Sequence, residues 1–134
     1  MTTIVRFEDI DAWQTARELT RKVYDLTREG EFARDFGLRD QMQRVSVSIM
    51  SNIAEGFEHR TNLLFRDYLG RAKASSGELR SQLYVAKDSG YLSQIDFSQI
   101  FELCDKCSRQ ISRFIQYLDQ KPNAIREEGI DYNV

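Results

Sequence analysis

Residues 48–57 read SIMSNIAEGF, inside a longer helical run over 38–57. On a wheel at 100° per residue, Met42, Val45, Ile49, Ile53 and Gly56 share one arc of about 80°. Val47, Met50, Ala54 and Phe57 share a second arc of similar width, and a polar strip of Arg44, Ser48, Ser51, Asn52 and Glu55 separates the two. A helix in a monomeric bundle needs one apolar arc. The second is an exposed patch unless a partner covers it. The pattern predicts a helix that serves its own bundle and a neighbouring chain at once.

Three more periodic segments flank this one. The first runs over about 11–28, where Trp13, Ala16, Thr20, Val23 and Leu26 recur at three- and four-residue spacing behind the acidic EDID start. The third follows HRTN, where Thr61 or Asn62 can cap, and carries Phe65, Tyr68, Leu69, Ala72, Ser76, Leu79, Leu83 and Ala86 to about Ser89. Gly90 is a natural left-handed stop. The fourth begins near Asp96, whose partner Gln99 completes a capping-box pattern, and runs to about Gln120. Four amphipathic helices with short turns bury their stripes as an all-α, antiparallel up-down four-helix bundle. The bundle is expected over 1–120, with 121–134 a mobile tail because KPNAIREEGIDYNV has no usable period.

Composition agrees. With 134 residues, 41% hydrophobic and 30% charged, the chain suits one globular domain, and its single proline, Pro122, leaves the helices unbroken. The start lacks the pattern of a signal peptide, and no apolar run reaches the roughly 18 residues of a membrane span. A cytoplasmic protein without membrane contact is expected. The net charge of −2 recruits no nucleic acid by itself.

Opposite the core stripe of the third helix sit Gly70, Ala74, Gly77 and Ser81. Glycine inside a helix costs up to about 1 kcal/mol relative to alanine, so two on one face suggest that another backbone comes close. The expected subunit interface is therefore Val47, Met50, Ala54 and Phe57 with Gly70, Ala74, Gly77 and Ser81. Arg44, Ser48, Asn52, Glu55 and Glu78 are expected to form a buried, hydrogen-bonded network between the second and third helices, since charges at a core margin must be paired. Read as catalysts, Glu55 and Glu78 would be a carboxylate pair. No nucleophile–base arrangement or metal-ligand set accompanies them, so no enzyme, cofactor or metal is expected. Cys104 and Cys107 form CDKC, but at i and i+3 they share a face with Phe101, Ile111 and Phe114 and read as core.

Arg66, Lys73, Arg80 and Lys87 are spaced by seven, a period that drifts only about 20° per step and so makes a basic ridge. Shorter ridges are Lys106, Arg109 and Arg113, and Arg17, Arg21 and Arg28. Such ridges can track a phosphate backbone or pair with acids on a neighbouring helix, and 21 acidic residues favour the second reading.

The stretches FEDIDAWQTARELTRKVYDLT, FGLRDQMQRVSVSIMSNIAEGFE and FRDYLGRAKASSGELRSQLYVAKDSGYL resemble the four-helix-bundle proteins encoded within bacterial 23S rRNA intervening sequences. The resemblance covers about residues 7 to 120 and implies a closed bundle assembling as a homopentameric ring. It marks Gln41, Arg44, Ser48, Asn52, Glu55, Gly56 and Glu78 as fold-defining. The fold is similar to that of the accessory protein of diversity-generating retroelements, whose members tend to be more basic than this chain. The function expected is a non-enzymatic, homo-oligomeric binding or scaffold module associated with RNA or an RNA-binding partner. The alternative is a purely structural assembly.

Overall fold

The computed structural model describes residues 2–121 and 129–132. Four helices, α1 (Asp11–Thr27), α2 (Phe36–Glu58), α3 (Asn62–Asp88) and α4 (Gln94–Gln120), follow one another through short connections. Each packs on its neighbours in sequence, and α1 closes the ring against α4, with α2–α3 the most extensive pairing. This is the closed all-α bundle that four separate apolar stripes require. No helix among the described residues is long and apolar enough to cross a membrane.

Local chemistry sets the helix ends. Asp35 caps α2 by accepting from the Leu38 amide at 3.2 Å, so the helix starts at Phe36. Thr61 caps α3 in the same way through Leu64. At the far end of α3, the Tyr91 amide reaches the Ala86 carbonyl and the Gly90 amide reaches Lys87, with Gly90 at φ +79°. That is a Schellman stop, which needs the left-handed residue that glycine supplies. The expected start of α4 near Asp96 moves to Gln94. Ser93 is the cap, its hydroxyl accepting from the Asp96 amide at 3.0 Å. Asp96 instead sits in the first turn, where its carboxylate faces the positive end of the helix dipole.

The core contains Leu19, Ile49, Ile53, Phe65, Leu79, Ile111 and Phe114, all fully buried. Cys104 and Cys107 are free thiols inside it, donating to the Ser76 and Ala12 carbonyls. Burial pushes the Cys104 thiol up to about 11 and the Cys107 thiol up to about 12, so both stay neutral. Gly56 lets α3 come close to α2: a Cβ there would lie 2.6 Å from the Tyr68 Cβ and 3.0 Å from the Phe65 ring. A larger residue would push the two helices apart.

The C-terminal segment departs from the sequence reading of a loose tail over 121–134. Two short strands, β1 (Thr2–Ile4) and β2 (Ile130–Tyr132), pair antiparallel across the bundle end that holds the α2–α3 turn. Ile4, Ile130 and Tyr132 are buried, and Tyr132 stacks on Phe114 with ring centroids 4.6 Å apart. Isoleucine and tyrosine alternate around exposed Asp131, so a three-residue strand suffices to bury two side chains. Residues 122–128, 133 and 134 of that expected tail lie outside the described residues.

Candidate interaction surface

The second apolar arc of α2 is split by the tertiary structure. Phe57 is 0% exposed and belongs to the core, packed edge-to-face on Phe65 with the Arg60 guanidinium 4.3 Å from its ring centroid. Its place in a subunit interface is therefore corrected. The reason is geometric. Away from the polar strip the two arcs of α2 nearly meet, and α1 packs on that flank. There the Thr20 hydroxyl reaches the Ser46 carbonyl and Gln43 reaches Thr27. A helix with neighbours on two sides buries a wider arc than a single stripe suggests. Met50 is half-buried against the core, Ala54 is half-buried, and Val47 is 38% exposed.

On α3 the outward face is as the spacing predicts. Gly70, Ala74, Gly77 and Ser81 are all exposed. A Cβ built on Gly70 or Gly77 meets nothing within 4 Å. Leu63, 66% exposed, and Val85, 51% exposed, extend this strip at its two ends. Sequence reading passed over both, although Leu63 falls at about the same wheel angle as Ser81. Phe36, 63% exposed, adds a ring at the start of α2.

The polar strip is smaller and wetter than expected. The Ser48 and Ser75 hydroxyls share a hydrogen bond at 3.2 Å, and Asn52 donates to the Ser48 carbonyl at 2.8 Å and to its hydroxyl at 3.0 Å. These three half-buried residues join α2 to α3. Arg44, Glu55 and Glu78 are exposed, and among the described residues none enters an ion pair. The buried charged network is thus corrected to an asparagine–serine–serine contact centred on Ser48. Short polar side chains end at the α2–α3 seam, whereas long ones at the same margin carry their charges into water.

The basic ridge of α3 turns toward α4. The Arg66 guanidinium meets Asp119 at 2.6 Å, the Lys73 ammonium donates to the Ser112 hydroxyl, and Arg80 lies 3.7 Å from Asp105. The Lys87 ammonium stands 4.5 Å from the Phe97 ring centroid. Asp119, Ser112 and Asp105 are themselves spaced by seven, running backwards as an antiparallel helix demands. Arg66 and Arg80 thus make the heptad-flank pairing with acids that the sequence suggested, whereas Lys73 meets a hydroxyl and Lys87 a ring. Elsewhere, Ala54, Glu55, Glu58 and His59 line a shallow depression at the end of α2. The His59 ring is stacked on Tyr68, 5.1 Å between centroids. Among the described residues no three His, Cys, Asp or Glu side chains are grouped to hold a metal ion.

A closed bundle with a small-residue face open on one side and an ion-paired seam on the other defines a helical module with surface for contact. The family of 23S rRNA-intervening sequence proteins matches residues 8–113, and the chain belongs to it. A similar fold occurs in the crystal structure of a protein with unknown function from the S23 ribosomal protein family of Bacteroides thetaiotaomicron VPI-5482. The identity is 17%, the TM-score 0.72, and the match covers 78% of this chain and 98% of that one. No curated protein matches the chain.

Proposed function

We propose that this chain is a non-enzymatic, self-assembling helical-bundle scaffold, in which the open face of α2 and α3 is the contact between copies. One observation carries the reading: Gly70 and Gly77 lie in the middle of α3 with open space where a side chain would stand. Each weakens the helix by up to about 1 kcal/mol relative to alanine, and no contact among the described residues gains from it. Close approach of a second helix backbone would. Val47 and the exposed Leu63 and Val85 supply apolar surface beside and beyond the glycines. A closed ring satisfies every copy of such a face, and five is the number that the family resemblance implies. Assembly without an RNA-binding role is the reading we favour, because the Arg66–Lys87 ridge is engaged by α4.

Light scattering at micromolar concentration is the test. The wild type is expected to run as an oligomer, and Gly77→Leu as a monomer with unchanged helical content. A monomeric wild type overturns the proposal. Gel shifts at low salt address the RNA reading: salt-sensitive binding by the wild type that is lost on Arg80→Glu with Lys87→Glu would restore it.

A further inference from the structure

The family match stops short of both β1 and β2, and the four helices close on one another without them. The strands nonetheless seal the aromatic end of the bundle. Tyr132 covers Phe114 and meets the Tyr117 ring edge-on, and the Tyr117 hydroxyl donates to the Asp131 carbonyl. Thr3 donates to the Asp131 carboxylate at 3.1 Å. Gly129, at φ +111°, brings the chain against Ile4 so closely that a Cβ would lie 2.6 Å from the Ile4 carbonyl oxygen. On the other side the Arg60 guanidinium donates to the Val5 carbonyl at 3.3 Å. Arg60 itself has φ +57°, the left-handed region that costs a residue with a Cβ about 1 kcal/mol or more. Strain of this kind persists only where surrounding contacts over-determine it.

We propose that β1 and β2 form a latch that opens as a unit of its own, uncovering Phe114 and Tyr117 while the four helices stay folded. Its hold is local: a ladder of three residue pairs, the three buried side chains Ile4, Ile130 and Tyr132, and the hooks from Tyr117 and Arg60. Helix α3, by contrast, is anchored along its whole length by fully buried residues from Phe65 to Ala86. Elements held by few contacts open at lower free energy than the core to which they attach.

Native-state hydrogen exchange on the full chain tests this. In the wild type, the ladder amides of β1 are expected to exchange about a hundredfold faster than the core amides of α3. Tyr132→Ala should raise the β1 rates about tenfold or more and leave the amides of Leu69–Leu79 within about twofold. If the α3 rates rise in step with β1, the strands belong to the global unfolding unit and the proposal fails. Unchanged β1 rates also overturn it. Thr3→Val, which removes only the exposed Asp131 contact, provides the same comparison should Tyr132→Ala not fold. It is expected to raise the β1 rates about two- to fivefold with α3 unmoved, and equal rises in both would reject the latch.

Discussion

Helix α3 carries two series spaced by seven, and they meet opposite fates. Arg66, Lys73, Arg80 and Lys87 each find a partner on α4. Gly70 and Gly77, with exposed Ala74 and Ser81 beside them, face open space among the described residues. A long charged side chain can lean across a seam and pair with a neighbouring helix. A glycine cannot reach, so it acts only when something comes to it. The same period therefore marks an internal seam where the residues are long and an open face where they are small.

Glycine itself gives the largest expected effect on this comparison. Gly56→Ala should destabilise the bundle by about 1–3 kcal/mol, because the added Cβ collides with Tyr68 at the α2–α3 crossing. Gly70→Ala and Gly77→Ala should each stabilise an isolated bundle by up to about 1 kcal/mol. Denaturant unfolding below the association concentration measures all three. Destabilisation by the α3 substitutions there would mean that their outward face is engaged within the chain after all.

The core side of the α3–α4 seam sharpens the contrast through pH. Cys104 and Cys107 have thiols raised by burial from 9.0 to about 11 and about 12. Unfolded thiols lose their protons first, so the thiol contribution is intact below about pH 9. It falls as pH rises and levels off above about 12, with a slope of at most about 1.4 kcal/mol per pH unit for each thiol. Thermal melts at several alkaline pH values should show a steeper decline for the wild type than for Cys104→Ala with Cys107→Ala. Equal slopes would contradict the burial.

The smallest effect belongs to the seam's exposed ion pairs. A double-mutant cycle on Arg80 and Asp105, both about half exposed and 3.7 Å apart, should return a coupling of about 0–1 kcal/mol. A coupling well above that would mean that water is excluded from the seam.

Much of this was legible in the chain. The core stripes of α2 and α3 could be read from their three- and four-residue spacing, since burial on one face is written into local periodicity. On α1 the stripe is displaced, with Ala16 and Val23 buried but Trp13, Thr20 and Leu26 only half-buried, while Ala12, Thr15 and Thr27 lie in the core. The seam was legible in principle: Asp105, Ser112 and Asp119 repeat on α4 the spacing of the basic ridge on α3. The Phe57 assignment failed because a wheel shows directions around one helix and not which neighbour stands there. Glu55 and Glu78 failed for a related reason. Margin residues are buried or solvated according to side-chain length and interhelical distance, and the sequence carries no direct record of the second.

The sequence by itself determined four helices, a cap at Thr61 or Asn62, the stop at Gly90, and an apolar stripe on each helix, because backbone hydrogen bonding and burial repeat over neighbouring residues. Tertiary structure alone decided that α1 covers the Phe57 flank of α2 and that β2 returns to pair with β1. A three-residue strand is too short to show a period, and its partner lies at the other end of the chain. Only the folded bundle, bringing Asp11 and Gln120 to one end, places Ile130 and Tyr132 beside Ile4.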